Sequence, residues 1–261
     1  MSQRDTHGVD VVLDGIHKRY GTQEVLVGVD LEVRPGELLA ILGQSGQGKS
    51  VLLRQIVGLE RPDSGTVSVG GIPLERYLAL PPDEKPFRIA MVFQGSALLG
   101  SLSVEENVAL RLREHRQATP EEIAATVRRA LEQVELGGIE GKLPGEISGG
   151  MRKRAAIARA LAIDPELILY DEPTADLDPI LTEQIGALIA RIRESRGSTQ
   201  IIVTHNLGLA RTIADRIAVL DAGRIVECAP PSALEASGNP LTREFLRAAG
   251  LGKHPQPPTT G

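Results

Sequence analysis

The chain has 261 residues, with 29 Lys+Arg against 34 Asp+Glu, a net charge of −5, 41% hydrophobic and 24% charged residues. These values describe a soluble α/β chain of one large domain, or one core with an inserted subdomain, and exclude disordered, collagen-like and membrane-spanning classes. Three Phe, three Tyr and no Trp leave few platforms for stacking single-stranded nucleic acid, and the acidic balance lacks the positive field that duplex binding uses, so no nucleic-acid partner is expected.

Residues 1–10 are polar and hold no apolar run of the kind a secretory signal needs. Segments 9–20 and 25–33, rich in Val, Leu and Ile and separated at Gly21 and Thr22, are predicted as an antiparallel strand pair. Segment 37–42 is a short apolar run ending at Gly43, which suits a strand buried on both faces. From Gly48 the pattern becomes Val51, Leu52, Leu53, Ile56 and Val57, stopped by Gly58, which is helical spacing. Further strands are predicted at 66–69, 88–93, 167–170, 200–204, 216–220 and 224–228, several joined by parallel crossovers. Between 101 and 162 no good strand appears. Helices are expected at 104–114, from Pro120 to about Glu135 behind a Thr119 capping box, and from about Gly149. Two short helical patterns, 232–236 and 241–249, precede a tail, 251–261, too poor in apolar residues to pack and expected to be mobile. Cys228 is the single cysteine, so no internal disulfide can form and a reducing compartment is expected.

The strongest motif is Gly43-Gln44-Ser45-Gly46-Gln47-Gly48-Lys49-Ser50, a full match to G-x-x-x-x-G-K-[ST] between a strand and a helix. Glycines let backbone N–H groups converge on phosphate oxygens, and the helix N-terminus, where Val51 follows, adds partial positive charge. Lys49 reaches the terminal phosphates and Ser50 offers a Mg²⁺ ligand. Such a site needs an acid at the end of a second core strand, and Asp171-Glu172 follows four apolar residues. Alone, that pair is an ordinary strand end. Beside the phosphate loop it gives Asp171 to the metal shell and Glu172 to the attacking water as its base. Ser148-Gly149-Gly150 opens a helix with free N–H groups and a hydroxyl; taken by itself it is read as an ordinary serine cap.

The order of phosphate loop, Gln94, Ser148-Gly149-Gly150, Asp171-Glu172 and His205 resembles the ATP-binding subunits of ABC transporters over about residues 9–228. The resemblance implies a RecA-like P-loop NTPase core (about 9–100 and 163–230). An antiparallel β subdomain, a helical insert (about 101–162) and C-terminal helices (about 231–250) would complete one ABC ATPase domain. It implies ATP and Mg²⁺, with Tyr20 stacking on adenine, Gln94 contacting the metal and the attacking water, and His205 reaching the γ-phosphate as a catalytic residue. Ala175-Asp176-Leu177-Asp178 would form a dimer-contact loop, with Asp176 departing from the small residue usual there. The serine signature would complete the ATP site of the opposite subunit, which requires a homodimer docked on a separate membrane permease at the cytoplasmic face of the inner membrane.

Within that family, Val92-Phe93-Gln94-Gly95-Ser96-Ala97-Leu98-Leu99, residues 107–115, the Ser148-Gly149-Gly150-Met151 signature, Asp178-Pro179-Ile180 and the closing Asn239-Pro240 to Phe245-Leu246 look like the lipid-handling Mla/Mce importers. An Mce-domain lipid-binding protein and a STAS-domain regulator would then be partners. Thr174-Ala175-Asp176-Leu177 departs toward generic transporter ATPases. The alternatives are the ATPase of a small-solute importer and a mechanical ABC ATPase without transport.

Overall fold

The computed structural model describes residues 7–114 and 118–248. Strands β1 (Val11–Tyr20) and β2 (Gln23–Val33) form a hairpin whose last pair is Tyr20 with Gln23. Then come β3 (Leu38–Leu42), α1 (Lys49–Val57), β4 (Ser64–Val69), β5 (Ile72–Pro73), α2 (Leu74–Ala79) and β6 (Ile89–Val92). Helices α3 (Val104–Glu114), α4 (Pro120–Gln133) and α5 (Gly149–Leu161) follow without an intervening strand. The chain continues through β7 (Leu167–Asp171), α6 (Pro179–Arg196), β8 (Thr199–Thr204), α7 (Leu207–Ile213), β9 (Arg216–Asp221) and β10 (Arg224–Ala229). It finishes with α8 (Pro231–Leu234) and α9 (Pro240–Ala248).

The strands make two sheets. One is antiparallel, in the order β2-β1-β4-β5; the other runs β10-β9-β3-β8-β7-β6 and is parallel except for β10. Parallel neighbours need crossovers, and crossovers put helices over the faces of the sheet. Because successive side chains point to opposite faces, the central strands feed two cores. Leu39, Ile41, Leu167, Leu169, Ile201 and Val203 pack with α1 and the antiparallel sheet. Leu38, Ala40, Ile168, Tyr170 and Ile202 pack under the helices of the other side. Strands β3, β7 and β8 are buried throughout; β3 is wholly apolar, β7 is apolar up to Asp171, and β8 has an apolar centre, Ile201 to Val203, between buried Thr and Gln residues.

The expected α/β fold and its strands are all observed, with ends shifted by a few residues. The Thr119 capping box forms: Thr119 Oγ1 accepts from Glu122 N (3.2 Å) and Glu122 Oε2 accepts from Thr119 N (2.7 Å). Three helices, α2, α6 and α7, are present beyond those the sequence patterns predict. For α6 the signals were present: Asp178 as N-cap, Pro179 at the first position, Ile185, Leu188, Ile189 and Ile192 on the buried stripe, and Gly197 closing it at φ 65°. The expected tail, residue 249, His115 and His254 lie outside the described residues. Among the described residues no helix is long and apolar enough to cross a membrane.

Candidate active site

The phosphate loop lies where β3 ends and α1 begins, and two glycines are fixed there by crowding. A Cβ on Gly43 would stand 2.6 Å from the Leu220 carbonyl oxygen; one on Gly48, held at φ 95°, would stand 2.9 Å from that of Val25. Gly48 is the N-cap of α1, and no side chain caps that helix, so its first-turn N–H groups have no side-chain acceptor. The loop closes over its own lysine: Lys49 Nζ donates to the carbonyls of Gly43 (2.8 Å) and Gln44 (3.0 Å). Gln47 Oε1 accepts from Ala222 N (2.8 Å), which ties the loop to the β9–β10 turn.

The end of β7 supplies the acids. Ser50 Oγ donates to Asp171 Oδ1 at 2.7 Å, so the first turn of α1 and the end of β7 present adjacent hard oxygens. Glu172 adopts φ 45°, a left-handed conformation that costs a non-glycine residue energy and needs surrounding support. The support is visible. Glu172 N donates to Val203 O (3.0 Å), and Glu172 Oε2 lies 3.0 Å from His205 Nδ1 and 3.4 Å from His205 N. Glu172 Oε1 stands 3.7 Å from Lys49 Nζ.

Burial works against charge at Lys49 and at Asp171. It lowers the Lys49 pKa, an effect opposed first by Glu172 and then by Asp171. It raises the Asp171 pKa, opposed by the hydrogen bond from Ser50 and reinforced by the neighbouring Glu172. The cluster therefore favours a ligand carrying its own compensating charges, such as a polyphosphate with a divalent cation.

A cavity of about 390 Å³ joins Ser45, Gly46, Gly48, Lys49, Ser50, Val51, Gln94, Glu172 and His205. Gly43, Gln44 and Gln47 stand behind it in the loop, and Asp171 reaches it through Ser50. Val25 also lines it, a strand residue that no motif in the sequence marks. Tyr20 is not in the lining: it is 45% exposed and its hydroxyl donates to Glu60, which also holds Arg54 Nε at 2.6 Å. Ser148, Gly149 and Gly150 lie outside this cavity as well. Ser148 is the exposed N-cap of α5, accepting from Met151 N at 3.3 Å.

Free helix-start N–H groups and a buried lysine face a histidine-held carboxylate across this cavity, the arrangement of a P-loop nucleoside triphosphatase. Residues 26–175 match the ABC transporter family. The chain is 40% identical over 245 residues to the protein named "Probable ribonucleotide transport ATP-binding protein mkl" of Mycobacterium leprae (strain TN), covering 94% of this chain and 71% of that one. It is 42% identical over 235 residues to the L-cystine transport system ATP-binding protein TcyN of Escherichia coli (strain K12), covering 88% and 94%. The post-hydrolysis dimer of the ATP-binding cassette MJ0796, bound to ADP and Pi, matches with a TM-score of 0.75 at 33% identity, over 85% of this chain and 98% of that one. The chain belongs to the ABC transporter family, and it is an ATP-binding, ATP-hydrolysing cassette.

Proposed function

We propose that the chain works as a homodimer in which each copy's Ser148-Gly149-Gly150 completes the ATP site of the other. The supporting observation is that Ser148 is exposed at a helix start outside its own chain's cavity, with Gly149 half-buried and Gly150 buried behind it. The cassette MJ0796, a dimer with ADP and Pi bound, is a structural relative in keeping with this reading. The protein would dock on a separate permease at the cytoplasmic face of the inner membrane and cycle between closed and open pairs as ATP binds and is cleaved.

In this reading Lys49 and the loop N–H groups bind the β- and γ-phosphates, and Tyr20 supports the adenine from the end of β1. Ser50 and Asp171 would hold Mg²⁺, with Gln94 beside them; the 2.7 Å Ser50–Asp171 oxygen pair fits a hard cation. When bound, Mg²⁺ offsets negative charge on the β- and γ-phosphate oxygens. Glu172 takes a proton from water as the water oxygen bonds to the γ-phosphorus. The bond from that phosphorus to the bridging oxygen breaks, leaving ADP and phosphate. His205, 3.0 Å from Glu172 Oε2, holds the base in line and reaches toward the γ-phosphate.

The cargo proposed is phospholipid or a related lipid, handled with an Mce-domain lipid-binding protein and a STAS-domain regulator. Its support is the run after Gln94 and the Ser148-Gly149-Gly150-Met151 signature. A second reading, import of a small polar solute, is favoured by the names of relatives assigned to ribonucleotide, methionine, cystine and sulfate transport. Gentle detergent capture of the tagged chain from native membranes separates the two. Recovery of a permease with an Mce-domain protein and bound lipid supports lipid transport, whereas a permease with a soluble solute-binding protein supports the second reading.

A further inference from the structure

The segment after Gln94 is held to α5, the helix that starts at Ser148, by side chains outside the cavity. Lys153 is 7% exposed, and its ammonium donates to the Gln94 carbonyl. Six residues further along α5, Arg159 donates from Nη1 to Ala97 O (2.6 Å) and from Nη2 to Ser96 O (2.9 Å). Ser96 and Ala97 both occupy the left-handed region, at φ 64° and 48°, so the segment is kept in a shape it would not relax into alone. On its far side, the buried Asn107 amide accepts from Leu99 N (2.7 Å) and donates to the carbonyls of Leu99, Leu102 and Ser103 (3.0, 3.0 and 2.9 Å).

Lys153 is the link closest to the chemistry. It lies five residues after Ser148 on one rigid helix, about 7.5 Å along the axis. The residue whose carbonyl it holds, Gln94, lines the cavity with Glu172 and Lys49. Among the described residues Lys153 makes no ion pair with a carboxylate, although Asp176, Glu172 and Asp171 all lie near enough to attract its charge. A buried cation directed at a single carbonyl adds little to folding that an apolar side chain of the same length would not supply.

We propose that Lys153 is a positioning residue that makes the placement of Ser148 at a neighbouring copy's nucleotide conditional on the placement of Gln94 in its own copy's site. A tilt of α5 toward the partner carries the Lys153 ammonium, and with it the Gln94 backbone. The inference rests on the composite-site reading above, so its test first needs a parent that closes. In the Glu172→Gln background, light scattering after size exclusion measures ATP-driven dimerisation, and titration with a fluorescent ATP analogue measures affinity in the single copy.

Lys153→Met is expected to leave analogue affinity within about twofold while raising the ATP concentration for half-dimerisation about tenfold, within the usual span of coupling between sites. Lys153→Arg, which keeps a long cationic donor, should recover most of that loss. Thermal unfolding of Lys153→Met should come at the same or a higher temperature. Dimerisation of Lys153→Met at the parental ATP concentration overturns the proposal, as does absence of rescue by Arg. Earlier unfolding with lost nucleotide affinity also overturns it, by marking Lys153 as structural. If the Glu172→Gln parent itself stays monomeric with ATP, the composite site falls and this inference falls with it.

Discussion

Helices α1 and α5 both begin beside glycine, yet their first turns are finished in different ways. At α1 the N-cap is Gly48, no side chain caps the turn, and buried Lys49 is threaded through the preceding loop. At α5 the N-cap is Ser148, which uses its own hydroxyl to accept from Met151 N and stands exposed. The first end has unused donors facing a walled cavity and is ready for an anion from within one chain. At the second, the serine hydroxyl already takes one first-turn N–H group, that of Met151, and the serine lies outside the cavity. One chain thus holds a receptive phosphate site and, outside it, the exposed helix start that the proposed composite site would use.

The largest expected effect lies at the first end. Glu172→Gln should lower steady-state ATP hydrolysis by about 10²- to 10⁴-fold, the range for loss of a general base, with nucleotide binding retained; hydrolysis near the parental rate would remove Glu172 from that role. Ser148→Arg tests the second end. Alone it should bind nucleotide normally and hydrolyse almost none. Mixed equally with Glu172→Gln, it should regain at most about a quarter of parental hydrolysis, because random pairing of two copies makes half the pairs mixed, each with one intact site. No recovery on mixing would mean that each chain uses its own serine. Lys49→Ala should weaken nucleotide binding about tenfold or more, as loss of a charge-assisted contact to phosphate does. Equilibrium titration checks it, and unchanged affinity would contradict the role drawn from its place in the loop.

How much of this was legible in the sequence follows from how local each feature is. The phosphate loop and Asp171-Glu172 are contiguous runs at strand ends, so spacing and apolar context placed them without tertiary information. Helix α6 is equally local, since Asp178, Pro179 and Gly197 mark both its ends. Lys153, Arg159 and Asn107 were not legible as a group. Lys153 and Arg159 read as ordinary charged positions on an Ala- and Ile-rich helix, and their partners lie 59 to 63 residues away in sequence. The left-handed turn of Glu172 was hidden too, since only contact with Val203 and His205 makes that conformation tenable.

The smallest expected effect concerns the cost of keeping the first end ready. Burial raises the Asp171 pKa, and the adjacent Glu172 raises it further. A carboxyl whose folded pKa lies above its unfolded value destabilises the fold while ionised. That penalty is complete above the folded pKa and is relieved as pH falls through it, because the folded chain then binds the proton more tightly than the unfolded one. Asp171→Asn removes the charge but keeps an oxygen that can accept from Ser50. In nucleotide-free protein at neutral pH it should unfold at a higher temperature than the parent. The difference should shrink toward acid, where the parental carboxyl is neutral as well. The same variant should lose the Mg²⁺-dependent part of its nucleotide affinity, so that stability and metal response move in opposite directions. Scanning calorimetry across pH and nucleotide titration with and without Mg²⁺ measure the two. A variant that melts lower than the parent at neutral pH would show that Asp171 braces the fold rather than straining it.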